Sequence, residues 1–339
     1  MSDPDANPVL VEVTRGDTVE SRHRGRAVVV GAGGAVELAL GDAAAPVFPR
    51  SAIKMLQALP LVESGAADAC GVSAAELALS CSSHNGEDRH VAAVGAWLAR
   101  LGLAERDLEC GPHAPVHAAS AEALVRAGRA PDRTHNNCSG KHTGFLALAR
   151  RLGVPTDGYS RADHPVQRHV AEALGAMTDT DVDHAPVGID GCGVPTWGVP
   201  LDGLARAMAR IADPQGLAPA RRQAIERLRA AVAAEPFMIA GSARLCTALI
   251  EATRGDVLVK TGAEGVFVAA VPRLGLGFAL KIDDGASRAS EVAILALLRR
   301  FGALPAGTDE ALRRYADPGI RNTQGRRVGA IRPAAALAT

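Results

Sequence analysis

Hydrophobic and polar positions change period twice along the 339 residues. At the start, short and often β-branched apolar runs predict strands over residues 10–14, 18–23, 26–31 and 35–40, parted by Gly-rich or Gly-Asp turns. The glycine-rich run 31–34 precedes no helical pattern, so it reads as a hairpin turn and not as a dinucleotide loop. From Ser51 the apolar spacing becomes helical. It predicts helices over 51–62, 74–80, 88–101, 119–127, 142–152, 165–176, 201–211 and 219–234. Strands return at 256–260, 265–271 and 276–282, followed by a helix over 288–301 and a last strand over 327–331.

Strands at both ends with helices between them predict an α+β fold, an antiparallel sheet built from N- and C-terminal strands with a central helical region. The expectation is one domain over 1–339, with sheet-forming parts 9–50 and 255–333 and a helical middle 51–254, laid across the sheet or set apart as a lobe. The Ala-rich tail after Pro333 is expected to fray.

Composition narrows the functional classes. Hydrophobic residues make up 47% and aromatics 3%, so the core must be built from Ala, Leu, Val and Ile. Lys and Arg number 37, as do Asp and Glu, and no basic run carries interleaved aromatics, which argues against a nucleic-acid partner. Residues 1–8 are polar without an apolar signal core, and no apolar stretch is long enough to span a bilayer. A cytoplasmic protein with no membrane partner is therefore expected. The six cysteines form no C-x-x-C pair and are expected as thiols.

Five segments hold candidate chemistry. In Pro49-Arg50-Ser51-Ala52-Ile53-Lys54, serine and lysine lie one helical turn apart, where a neutral lysine can take the serine proton. Alone, that spacing is so common that it reads as an N-cap serine and a solvated lysine. The run Ser80-Cys81-Ser82-Ser83-His84-Asn85-Gly86-Glu87 is too polar for core and reads either as a site or as a capping loop. Lys260-Thr261-Gly262 ends an apolar strand, placing a cation beside open backbone, or forms a plain hairpin mouth. These three occur in the order seen in penicillin-binding proteins and serine β-lactamases, although Ser82-Ser83-His84-Asn85 departs from the usual second motif. The last two are Asn136-Asn137-Cys138-Ser139-Gly140-Lys141-His142 and Ile189-Asp190-Gly191-Cys192-Gly193-Val194-Pro195.

With these motifs, and with VEVTRGDTVESRHRG at 11–25 and KTGAEGVF at 260–267, the chain closely resembles the class 3, rhizobial-type L-asparaginases (asparaginase II) over nearly its whole length. The resemblance implies a serine β-lactamase and glutaminase-like fold, a homodimer, and L-asparagine as substrate. It implies two Ser–Lys tandems, Ser51 with Lys54 and Ser83 with Lys260. It implies a zinc trio of Cys138, Lys141 and Cys192. Arg50, His142 and Asp190 match positions lining the pocket, and His84, Asn85 and Gly262 are placed with them as substrate-binding. Two thiolates suit zinc, whereas a lysine ligand must first lose its proton.

The expected chemistry is double displacement, with Ser51 as nucleophile, Lys54 as base, and Ser83 and Lys260 assisting. Arg50 would meet the substrate carboxylate and Asp190 its ammonium. Which tandem supplies the nucleophile stays open, as do a glutaminase or another S-x-x-K hydrolase. A catalytically inactive amino-acid or zinc sensor is the alternative from a different class.

Overall fold

A computed structural model describes residues 7–338. The chain divides into two compact units, Met1–Ala52 with Gly198–Asp213 and Ala248–Thr339, and Ile53–Trp197 with Pro214–Thr247.

The first unit is built on an eight-stranded antiparallel sheet. Val9–Arg15 pairs with Thr18–Gly31 across a two-residue turn, and on its other side with Arg327–Pro333. The 14-residue strand Thr18–Gly31 is long enough to serve both ends of the sheet. Its later half pairs with Val36–Leu40 and, in register Val29 to Phe278, with Leu276–Ile282. Two strands were expected here; Gly25, whose amide bonds to the Pro8 carbonyl, is carried through without a turn. Leu276–Ile282, Val266–Val271 and Leu258–Thr261 follow in order. Val266–Val271 is apolar throughout and buried at every position, as a strand covered on both faces must be. The helices Leu201–Ala212 and Ser287–Arg300 pack on this sheet. The first comes from the middle of the sequence, so that middle is not uniformly a separate helical layer. The tail also differs from expectation: the Ala334 amide bonds to the Leu10 carbonyl and Leu337 is buried.

The second unit is mostly helical. Ala74–Ser80 matches its expected bounds and is opened by a capping box between Ser73 and Glu76. The expected helix over 51–62 is instead broken into a 3-10 turn Arg50–Ile53 and short helices Lys54–Gln57 and Leu59–Glu63. Pro60, near the start of the last of these, has no N–H for a continuous helix and disfavours one through its predecessor. Ser139–Leu152 begins three residues earlier than predicted. Its first turn is polar yet buried, so apolar periodicity could not mark it. Val187–Ile189, the end of an apolar strand-like run, pairs in a short hairpin with Pro195–Trp197, a strand that the pattern did not predict. Among the described residues no helix is long and apolar enough to cross a membrane.

Candidate active site

In the second unit, the polar run after the Ala74–Ser80 helix lies extended. The amides of Ser83 and Asn85 donate to the carbonyls of Ile239 and Ala240 at 2.9 and 3.0 Å, and the His84 amide donates to Asn137 at 3.2 Å. This strand-like alternation fixes Ser83 without regular sheet around it. Lys54 is fully buried. Its Nζ donates to the Ser82 carbonyl, to Ser83 Oγ at 3.0 Å, to Cys138 Sγ at 3.1 Å and, at 3.5 Å, to the Asn137 carbonyl. Of these acceptors, the hydroxyl and the thiol are the two that can exchange a proton with the amine.

His84 and Asn85 are both buried and committed to protein partners. The Gly86 amide donates to His84 Nδ1 at 3.1 Å, so Nε2 carries the ring proton and gives it to Ser139 Oγ at 2.9 Å. That hydroxyl donates in turn to the Thr134 carbonyl at 2.8 Å. Burial holds the His84 pKa well below the ordinary histidine value, so the ring is neutral. Asn85 Nδ2 donates to the Ser242 carbonyl at 2.9 Å and to Glu87 Oε1 at 3.2 Å.

Cys138 lies at the N-terminal end of the Ser139–Leu152 helix, with Lys141 on its first turn. Cys192 lies in the turn of the Val187–Trp197 hairpin, where the Asp190 amide bonds to the Val194 carbonyl. Lys141 Nζ donates to Cys192 Sγ at 3.2 Å. The hydrogen bond from Cys138 brings the Cys192 thiol down to about 5 against burial, with help from Lys141. That same bond, with burial, pushes Cys138 up to about 12. Burial opposes charge on Lys141, yet Cys192, Cys138 and Asp190 hold its pKa above the ordinary lysine value. These three residues thus form a thiol, a thiolate and an ammonium that share protons. Among the described residues no three His, Cys, Asp or Glu side chains gather as a metal cluster. Two convergent sulfurs and one amine nonetheless fit zinc as a donor set, provided the shared protons leave.

His142 is fully buried. The Glu109 amide donates to Tyr159 Oη at 2.8 Å, and Tyr159 donates to His142 Nδ1 at 2.7 Å. The ring proton therefore sits on Nε2, which has no hydrogen-bond partner among the described residues. Burial first, then Lys141, brings the His142 pKa down to about 3, so the ring stays neutral.

In the first unit, Arg50 has a left-handed backbone, φ 51°, and begins the 3-10 turn that holds Ser51. Gly262 lies against that turn: a Cβ there would be 2.5 Å from the Pro49 carbonyl oxygen and 3.2 Å from the Ala52 amide. Close approach by the strand end to the Ser51 backbone requires glycine at this position. Lys260 is buried at the end of Leu258–Thr261, its Nζ donating to the Thr261 carbonyl at 2.7 Å.

Three features escaped the sequence reading. Tyr159, one of two tyrosines in the chain, orients His142. Cys110 is the buried thiol that was expected, but its nearness to the trio was not: Cys138 and Cys192 add to burial in pushing it up to about 12. The run 240–244 borders the Ser83 segment but has neither periodicity nor a dense polar cluster to mark it.

Among curated proteins no similar sequence was found. Solved structures with some likeness include a "putative beta-lactamase from Bacteroides dorei", at 14% identity and TM-score 0.40 over 81% of this chain and 93% of that one. A second, a β-lactamase from Mycobacterium bovis, has 16% identity and TM-score 0.37 over 86% and 95%. The family model for L-asparaginase II matches residues 11–333, a span that takes in every motif described above, and the chain belongs to that family.

Proposed function

We propose that this protein hydrolyses the side-chain amide of L-asparagine to L-aspartate and ammonia through an acyl-enzyme on Ser51. The observation that carries this reading is Lys54, fully buried one turn after Ser51 and within 3.0 Å of a second serine, Ser83. Ser51 Oγ attacks the amide carbon while Lys54 takes its proton. The C–N bond then breaks, and the proton passes to the departing ammonia. Water hydrolyses the remaining ester, with Lys54 again as base. Backbone N–H groups at the Ser51 turn and along the 260–262 strand end would stabilise the oxyanion. Ser83 and Lys260 would relay protons or hold Lys54 in position.

The unpaired Nε2–H of His142 supports a role in holding substrate. A buried donor without an acceptor costs about 1–3 kcal/mol, which a substrate oxygen would offset. Asp190 would meet the substrate ammonium and Arg50 its carboxylate. Cys138, Lys141 and Cys192 would hold zinc, which supplies polarisation and orientation of a substrate oxygen when bound. The family match supports a preference for asparagine over glutamine; one methylene is worth only about 1–3 kcal/mol.

A second reading makes Ser83 the nucleophile, favoured by the 3.0 Å contact with Lys54. Intact-mass and peptide mapping after an acid quench separates the two. Ser51→Ala is expected to lose both ammonia release and the acyl adduct, whereas an adduct on Ser83 in that variant would transfer the nucleophile to Ser83.

A further inference from the structure

The run 241–244 links two short helices, Pro236–Ala240 and Leu245–Ala252. It is held unusually firmly for an exposed turn. Glu87 accepts from the Ser242 amide and from Ser242 Oγ, each at 2.7 Å. Gly241 and Ala243, on either side of Ser242, have φ of +95° and +58°. A left-handed alanine costs about 1–2 kcal/mol, and such strain persists where the surroundings impose it. The run also lies along the segment that carries Ser83, through the bonds from Ser83 to Ile239 and from Asn85 to Ala240.

What this loop presents is Arg244. Its side chain is half-buried, and Nη1 donates to Asn85 Oδ1 at 2.8 Å. Asn85 is oriented for this contact because its Nδ2 is taken by Glu87 and Ser242. The nearby Glu87 carboxylate is occupied by Ser242 and Asn85 rather than by the arginine. Among the described residues no carboxylate pairs with Arg244. A guanidinium offers five donors in a planar fork suited to a carboxylate, and here a neutral amide oxygen takes one of them.

We propose that Arg244 is a specificity-determining residue that binds the α-carboxylate of the substrate, positioned by the Glu87-clamped loop and by Asn85, which stands two residues from Ser83. This rests on the amidohydrolase reading and adds a carboxylate anchor beside the Ser83 segment, where Arg50 was the expected one. It assigns selectivity for α-amino acid amides over simple amides to Arg244.

The test compares L-asparagine with 3-aminopropanamide, which is asparagine without its α-carboxylate. In the wild type, kcat/KM should favour asparagine strongly. Arg244→Gln should lower that ratio at least tenfold, mainly through KM for asparagine, and Arg244→Lys should restore part of it. An unchanged ratio in both variants, or a loss of the ratio in Arg50→Gln alone, would overturn the assignment. A fold defect would slow both substrates alike and leave the ratio intact, which also counts against it. If the wild type hydrolyses neither compound, the functional reading has failed. Calorimetry with L-aspartate and β-alanine then decides the contact separately. Tighter binding of aspartate that Arg244→Gln abolishes supports the anchor, and no difference between the variants sinks it.

Discussion

Two buried lysines in the second unit follow the same spacing and have opposite surroundings. Lys54 stands three residues after Ser51, and Lys141 three residues after Cys138. Lys54 faces two backbone carbonyls, a serine hydroxyl and a thiol. Lys141 faces a thiolate-forming Cys192 at 3.2 Å, and its ammonium lies 5.7 Å from the centre of the Phe145 ring. Sequence spacing sets the reach of each amine; its acceptors set its chemistry. A hydroxyl neighbour makes a lysine useful for moving a proton to and from a nucleophile, while thiolate neighbours hold it as an ammonium until a metal, as proposed above, displaces the proton.

The hardest test of this contrast is to remove each amine in turn. Lys54→Met should lower kcat for ammonia release by about 10²–10⁴-fold, the range of a lost general base. Lys141→Met, assayed without added metal, should lower it by less than tenfold beyond the wild type under the same conditions. Equal losses would mean that both lysines serve the proton transfer, and the contrast would collapse. Circular dichroism of both variants excludes a simple loss of fold.

Much of the fold and the motif residues behind this contrast were legible in the sequence. The sheet strands announce themselves because Val, Ile and Ala recur in short runs with glycine turns between them, and Val266–Val271 stays apolar over its full length. The motif residues stand out because clusters such as 82–87 and 136–142 are too polar for the apolar pattern around them. Partner choice was not legible. Spacing pairs Ser51 with Lys54, but the bond from Lys54 to Ser83 depends on residues 82–85 running extended between Asn137 and Ile239, a tertiary fact. The start of Ser139–Leu152 was missed for a related reason: its polar first turn is buried by surrounding chain, and periodicity detects only apolar burial. Arg244 gave no local signal, because its meaning lies in its pairing, among the described residues, with the amide oxygen of Asn85 and with no carboxylate.

Metal uptake sharpens the comparison next. Cys192→Ser replaces the most acidic thiol of the trio by a hydroxyl that does not ionise at neutral pH. Zinc affinity, read by equilibrium dialysis, should fall by at least ~100-fold, as much as or more than the loss of an outer partner of a ligand. Ammonia release should fall far less than in Lys54→Met. Full zinc uptake by Cys192→Ser would move the metal away from this trio.

The mildest prediction concerns the support behind Ser83. Burial opposes ionisation of Glu87, but hydrogen bonds from Ser242 and Asn85 outweigh it and hold the carboxyl below its ordinary range. With the folded pKa below the unfolded value of about 4.3, the stability that Glu87 contributes is fully present above that value. It is lost as pH falls through the folded pKa. Glu87→Gln should therefore be less stable than the wild type by about 1–2 kcal/mol at pH 7, the scale of hydrogen bonds to a charged group. In urea melts the gap should narrow as pH falls through the folded pKa, where the wild-type carboxyl is itself becoming neutral. A gap that widened in acid would mean that Ser242 and Asn85 do not stabilise the ionised form. The effect should also be one-sided. Glu87 holds the loop beside Asn85 and makes no bond to Cys138, Lys141 or Cys192, so zinc uptake by Glu87→Gln should match the wild type even as asparagine turnover drops. A matched fall in both would show that the two lysine neighbourhoods share one support, and the distinction between them would then rest on their acceptors alone.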